Sequence, residues 1–297
     1  MEDSVLQLTV LLITILCGTW LYRRYTNGND TYESFQTVPY IYRKDNDIYD
    51  TFYIDEYNIL YETEKYAKED FANISSIIPV LPNKTILDVG CGNWVLLKEF
   101  ENNGNYNIVG VDKSKAMIES TQETIKIGEP IEGDILHDPM RFEKETFDII
   151  LCTHFTIYEI QNKSLFFRYC YHWLKIGGFF VIHIVDVEKY NMIPPNSELF
   201  PHLKSFSATK DRVTSSVLEK SDYTFSSSYT NVDDESMTRI ETFEHKNKVR
   251  KNELSLFMTN KNTIISDVEK NGFKFHSEIH YNKIPDKYQS LAFFVKM

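Results

Sequence analysis

Residues 85–94, Thr-Ile-Leu-Asp-Val-Gly-Cys-Gly-Asn-Trp, set the first constraint on how this chain can fold. An apolar run ends in a carboxylate and two glycines, and a helix-patterned stretch, Trp-Val-Leu-Leu-Lys-Glu-Phe-Glu, follows at once. A run that is apolar on both faces reads as a strand covered from both sides, which is the habit of parallel sheets. The glycines leave little bulk on the turn, so another group can approach the main chain closely.

The same alternation repeats downstream. Tyr-Asn-Ile-Val-Gly-Val-Asp (106–112) is a second strand, and the helix after it can be capped by Ser114. The stretch 130–134 closes a third strand and 146–155 forms a fourth. Residues 164–175 form a helix that Gly177 and Gly178 break, and 179–186 form a fifth strand. Strand–helix alternation predicts an α/β fold: a doubly wound, mostly parallel sheet with helices on both faces. The chain ends in two further strands, 272–281 and 290–297, joined by a short link, which predicts an antiparallel closing hairpin.

Ligands of such sheets bind beyond the C-terminal strand ends, where the winding reverses. Asp88, Gly90 and Gly92 are delivered to that edge. Asp112 lies 22 residues after Gly90 and is placed to accept hydrogen bonds from ribose hydroxyls. Asp134 ends the third strand, where an adenine edge could lie. A dinucleotide and S-adenosylmethionine both suit this start. The dinucleotide fingerprint wants a third glycine where this chain has Val95, and a closing hairpin is not its usual ending.

The first residues carry a different signal. Val5 to Tyr22 is an 18-residue run without charge, followed by Arg23 and Arg24. At 1.5 Å per residue it spans roughly 27 Å, close to the hydrocarbon thickness of a bilayer. The flanking arginines predict a single-pass membrane anchor with the body of the protein in the cytosol. The expected organisation is an anchor (1–24), a polar tether (25–47) and a globular domain (48–297). Within that domain, 187–258 reads as an insertion of short antiparallel strands that caps the pocket. Tyr49, Tyr53, Tyr57 and Tyr61 recur every four residues, along one side of a helix. A net charge of −11 disfavours nucleic acid as a partner. The four cysteines lack the spacing of a zinc site, and no metal is expected.

The segments Ile-Leu-Asp-Val-Gly-Cys-Gly-Asn-Trp, Val-Gly-Val-Asp-Lys-Ser-Lys-Ala-Met-Ile, Glu-Gly-Asp-Ile, Phe-Asp-Ile-Ile-Leu-Cys-Thr-His-Phe and Trp-Leu-Lys-Ile-Gly-Gly-Phe-Phe-Val-Ile-His-Ile-Val-Asp resemble successive motifs of class I S-adenosylmethionine-dependent methyltransferases. The later chain is similar to a poorly characterised group of them, some from large DNA viruses. The resemblance implies a seven-stranded Rossmann-like sheet with an antiparallel final strand. It implies S-adenosylmethionine as cofactor, with Asp88, Gly90 and Gly92 at its methionine portion and Asp112 at its ribose. Lys113, Met117, Asp134 and Ile135 would lie about its adenine, and Thr153 and His154 near its sulfonium. Trp94 stands where the family often has a further glycine. Its indole has two readings: a cover over the cofactor, or a wedge that packs the helix away from it.

Methyl transfer is a direct displacement, so the protein supplies alignment and a dry site, with a base only if the acceptor must lose a proton early. His154 and Tyr158 are the catalytic candidates, with Glu159, His183 and Asp186 as further strand-end groups. Arg250 and Lys251 read as a solvated basic turn or, alternatively, as contacts for an anionic acceptor. The expected activity is methyl transfer to a small molecule or to a lipid at the membrane surface, and a protein acceptor is also open. The rival reading is a catalytically silent cofactor-binding or scaffold protein of the same fold.

Overall fold

The computed structural model describes residues 39–79, 82–122, 125–191, 194, 215–231, 235–282 and 288–297. The apolar run at 5–22 lies outside them. Among the described residues, no helix is long and apolar enough to cross a membrane.

The central sheet has seven strands: β2 (Lys84–Val89), β3 (Tyr106–Asp112), β4 (Glu129–Glu132), β5 (Phe147–Cys152), β6 (Leu174–Val185), β11 (Phe273–His280) and β12 (Gln289–Lys296). Their order across the sheet is β11-β12-β6-β5-β2-β3-β4. Strands β2 to β6 run parallel, and β12 enters antiparallel between β6 and β11. This is the doubly wound sheet and closing hairpin expected from the sequence. The winding reverses at β2, which pairs with β3 on one side and β5 on the other. Asp88 therefore stands opposite both Gly110 and Leu151, at the switch point.

Helices α3 (Val95–Asn103), α4 (Lys115–Thr121), α5 (Thr156–Glu159) and α6 (Lys163–Trp173) follow the strands, and α7 (Lys261–Lys270) precedes β11. Ser114 caps α4 by accepting the Met117 amide at 3.1 Å. The glycine pair does not separate α6 from its strand. β6 already begins at Leu174, and Gly177 at φ +76° lies within it. Pairing with β5 slips from Leu174–Phe147 to Phe179–Ile149, so the glycines form an irregularity in a continuous strand.

Helices α1 (Thr51–Leu60) and α2 (Thr63–Ile77) precede the sheet. Asp50 caps α1 through the Tyr53 amide, so Tyr49 sits just ahead of the helix. The tyrosines still form one row, with adjacent ring centroids 5.8, 5.6 and 4.9 Å apart.

A second sheet covers this row. It contains β7 (Ser215–Glu219), β8 (Thr224–Asn231), β9 (Ser236–His245) and β10 (Lys248–Phe257), with β1 (Tyr40–Lys44) at its edge. β7 to β10 form the expected antiparallel meander. β1 pairs in parallel with β10, so residues 40–44, read as the end of a tether, belong to the folded unit. β10 also starts well before its apolar residues. Positions 250, 252, 254 and 256 all point inward, and the first two are Arg and Asn. Arg250 is thus no exposed turn residue. It is 2% exposed and bonded to both Asp50 oxygens (3.0 and 2.8 Å), the Ile48 carbonyl and Asn252.

Candidate active site

The strand ends, α1, α2 and the inner strand of the cap line a cavity of about 490 Å³. Its floor begins with the turn after β2. The amides of Gly90 and Cys91 both donate to the Val111 carbonyl, which ties the turn to the end of β3. Gly90 and Gly92 adopt φ +73° and +53°, where a side chain is strained. A Cβ on Gly90 would also lie 2.5 Å from the Thr156 side chain.

Asp88 is buried beside this turn, and its Oδ1 has no hydrogen-bond partner. Burial pushes its pKa well up, and the neighbouring carboxylates of Asp70 and Asp112 push it the same way. Asp112 accepts the Gly92 amide at 2.9 Å and the Ser114 amide at 2.8 Å. A carboxylate offers about four acceptor positions, so roughly two remain for a ligand's hydroxyls. Burial raises the Asp112 pKa, and these amide bonds only partly offset it.

Asp134 behaves oppositely. Burial opposes its charge, but the Leu136 amide (2.9 Å) and the Lys113 ammonium (3.0 Å) outweigh burial and hold its pKa down.

At the far side, His154 and Phe155 take consecutive left-handed conformations, φ +48° and +72°. Such backbone costs of order 1–3 kcal/mol per residue and persists only where its surroundings enforce it. Here the Phe155 amide donates to Nδ1 of the buried His183 at 3.1 Å. The result turns His154 into the cavity, where its Nδ1 lies 2.9 Å from the Tyr57 hydroxyl. Burial, aided by Arg239, lowers the His154 pKa to about 4, so the ring is neutral at physiological pH. Burial raises the pKa of Glu159, although its Oε1 accepts the Tyr49 hydroxyl at 2.6 Å.

The cavity thus brings together Asp88, Gly90, Gly92, Asp112, Lys113, Met117, Asp134, Ile135, Thr153 and His154. Two candidates lie outside it. Trp94 is 2% exposed at φ +73°, and its indole turns away to donate to Glu101 at 3.1 Å. It fills the space left by Gly110 and Gly128, where an added Cβ would meet the indole at 2.4 and 2.6 Å. It neither covers the cavity nor holds α3 off it. Tyr158 is fully buried in the core, and its hydroxyl accepts the Val185 amide at 2.8 Å. A hydroxyl engaged there is not presented to a ligand. Asp186 is likewise outside, paired with Lys189 at 2.7 Å.

Sequence reasoning missed Asp70, which lines the cavity from α2. Burial raises its pKa to about 7, against the hydrogen bond from Tyr281. A signal was present: Asp70 falls on the same buried helix face as Tyr66, Ala67 and Ile74. Adjacent buried acids, Glu69 and Asp70, on a largely apolar stripe mark a polar pocket.

A family model described as a methyltransferase domain matches residues 87–182, the segment that carries β2 to β6. Together with the strand order, this match supports a class I S-adenosylmethionine-dependent methyltransferase domain across residues 87–182. A methyltransferase from Clostridium acetobutylicum superposes with a TM-score of 0.59 at 14% identity, covering 78% of this chain and 91% of that one. The S-adenosylmethionine-bound amino pentose methyltransferase of calicheamicin biosynthesis from Micromonospora echinaspora gives 0.54 at 14% identity, covering 79% and 91%. At such identities the likeness is one of fold. Phosphoethanolamine N-methyltransferase 3 from Arabidopsis thaliana is 31% identical over 108 residues, 34% of this chain. That match spans about a fifth of the relative's length (21%).

Proposed function

We propose that the protein binds S-adenosylmethionine at the β2–β3–β4 edge and transfers its methyl group to a small-molecule acceptor. One observation carries this reading. A buried, unpartnered carboxylate oxygen of Asp88 stands beside two left-handed glycines, with Asp112 at the neighbouring strand end. Unpartnered buried polar atoms are costly and rare, and a ligand with a polar, cationic end would satisfy this one. Asp88, Gly90 and Gly92 would meet the methionine portion, Asp112 the ribose hydroxyls, and Met117, Asp134 and Ile135 the adenine region.

When bound, the cofactor supplies an activated methyl group on a sulfonium. The chain's own residues do the rest. Thr153 and His154 line the cavity at the end of β5, and Tyr57 of α1 with Leu254, Ser255 and Phe257 of β10 line it as well. A silent scaffold would draw support from an indole wedged into the cofactor site, and Trp94 lies outside the cavity. Isothermal titration tests the proposal: submillimolar binding of S-adenosylmethionine is expected. Asp112→Ala should weaken it by about tenfold or more, the loss of one charge-assisted hydrogen-bonding group. Absence of binding in the wild type would sink the reading.

We propose further that the 5–22 run anchors the protein with this domain on the cytosolic side, which leaves a lipid acceptor open. The run's length, lack of charge and flanking arginines support this. Release of the full chain from membranes by alkaline carbonate, without detergent, would contradict it.

A further inference from the structure

We infer that the acceptor is an amine, held as an ammonium by Tyr49, Tyr57 and Glu159 and methylated on nitrogen. This rests on the cofactor reading above and names the substrate class for the same site.

Charge is the first argument. Asp45, Asp70, Asp88, Asp112, Asp134 and Glu159 all line the cavity, and among the described lining residues Lys113 is the sole Lys or Arg. Lys113 is already paired with Asp134 at the nucleoside end. The buried Arg239 behind the tyrosine row is committed to Glu241 at 3.2 Å. An anionic acceptor would therefore meet Glu159 with no lining cation to offset it. A cation finds the opposite.

Shape is the second. The rings of Tyr49 and Tyr57 stand nearly perpendicular, 86° apart with centroids 6.0 Å apart, and both line the cavity at one corner. His154 sets its ring edge-on to Tyr57 at 5.6 Å. Aromatic faces attract ammonium groups, more strongly where water is excluded. The Tyr49 hydroxyl fixes the Glu159 carboxylate at the same corner and uses one of its acceptor positions. The neutral His154 ring adds no repelling charge.

The step balances with what is present. An ammonium has no lone pair, so one N–H proton must leave first, and Glu159 accepts it. The freed nitrogen pair forms the N–CH3 bond as the methyl–sulfur bond breaks. The bonding pair goes to sulfur, which changes from cationic sulfonium to neutral thioether. The methylated nitrogen leaves as an ammonium, and the proton on Glu159 passes to water.

The test uses the full chain loaded with S-adenosylhomocysteine, whose own binding is measured first. Choline and its neutral carbon isostere, 3,3-dimethylbutan-1-ol, are then titrated. They share a shape and differ in charge. Choline should bind about tenfold more tightly or better, and Glu159→Gln should remove most of that preference. The variant should keep its affinity for S-adenosylhomocysteine within about threefold, which shows that it is folded. In parallel, methyl-labelled S-adenosylmethionine is incubated with a small-molecule extract. Label should enter alkali-stable products retained on a cation exchanger. Choline no tighter than its isostere, or label confined to alkali-labile, neutral or anionic products, overturns the amine. Those results would leave the cofactor reading intact. Failure to bind S-adenosylhomocysteine at all would instead remove both.

Discussion

The two sheets are fastened into the molecule by different chemistry. The parallel sheet is held by apolar surface: Phe180, Ile182 and Ile184 of β6 and Ala292 and Phe294 of β12 are all fully buried. The cap meets α1 around a smaller apolar patch, with Phe52 and Tyr53 packed on Phe243. Around that patch the fastening is polar. Glu241 on β9 accepts the hydroxyls of both Tyr53 and Tyr61 and pairs with Arg239. Lys220 and Tyr223 reach Glu56 on the same helix, and Arg250 reaches Asp50. Apolar packing degrades gradually when one methyl group is lost. A buried polar network fails abruptly, because each deleted group leaves its partners desolvated and unpaired.

The sharpest way to break this contrast is at Glu241. Glu241→Ala strands the Arg239 guanidinium and two tyrosine hydroxyls in the interior and should cost about 4 kcal/mol. Urea unfolding read by tyrosine and tryptophan fluorescence would measure it, and a cost below that of a core methyl deletion would refute the contrast. Ile182→Val, in the middle of β6, supplies that comparison at about 1 kcal/mol.

A further effect concerns pH. Folded Asp70 keeps its proton up to a pKa of about 7, whereas the unfolded group ionises near its ordinary 3.8. The folded state therefore binds more protons across that window, and stability falls as pH rises through it. Asp88 pulls in the same direction. Asp70→Asn should leave stability nearly unchanged at pH 4 and flatten the decline toward pH 7. Unfolding curves at three pH values would show a parallel slope in the wild type and variant if Asp70 were not responsible.

The same division explains what was legible in the sequence. The strand–turn–helix of β2 and α3 is written in adjacent residues, so apolar runs, glycines and Ser114 reveal it locally. The cap depends on pairs far apart in the chain. Arg250 looks like a surface residue until Asp50, two hundred positions earlier, is known to face it. β1 carries only Tyr, Ile, Arg and Lys and becomes a strand because β10 offers it an edge. Trp94 escapes local reading for a related reason. Its position in the motif suggested a ligand contact, but Gly110 and Gly128, distant in sequence, provide its actual socket. Tyr158 likewise stands next to ligand-edge residues in sequence, while the curl of α5 turns its hydroxyl back onto β6.

The parallel pairing of β1 with β10 has a mechanical consequence. A load applied to the chain at Pro39 enters along β1, whose five residues pair with β10 from Tyr40–Val249 to Lys44–Glu253. Tension along that strand slides it past its neighbour, so the ladder bonds share the force instead of opening one after another. The load then passes to Asp45, whose carboxylate holds the Ser255 amide at 2.9 Å, before it can reach α1. Any pull from upstream would thus be absorbed in the roof of the cavity, while the glycine turn on its floor stays unloaded.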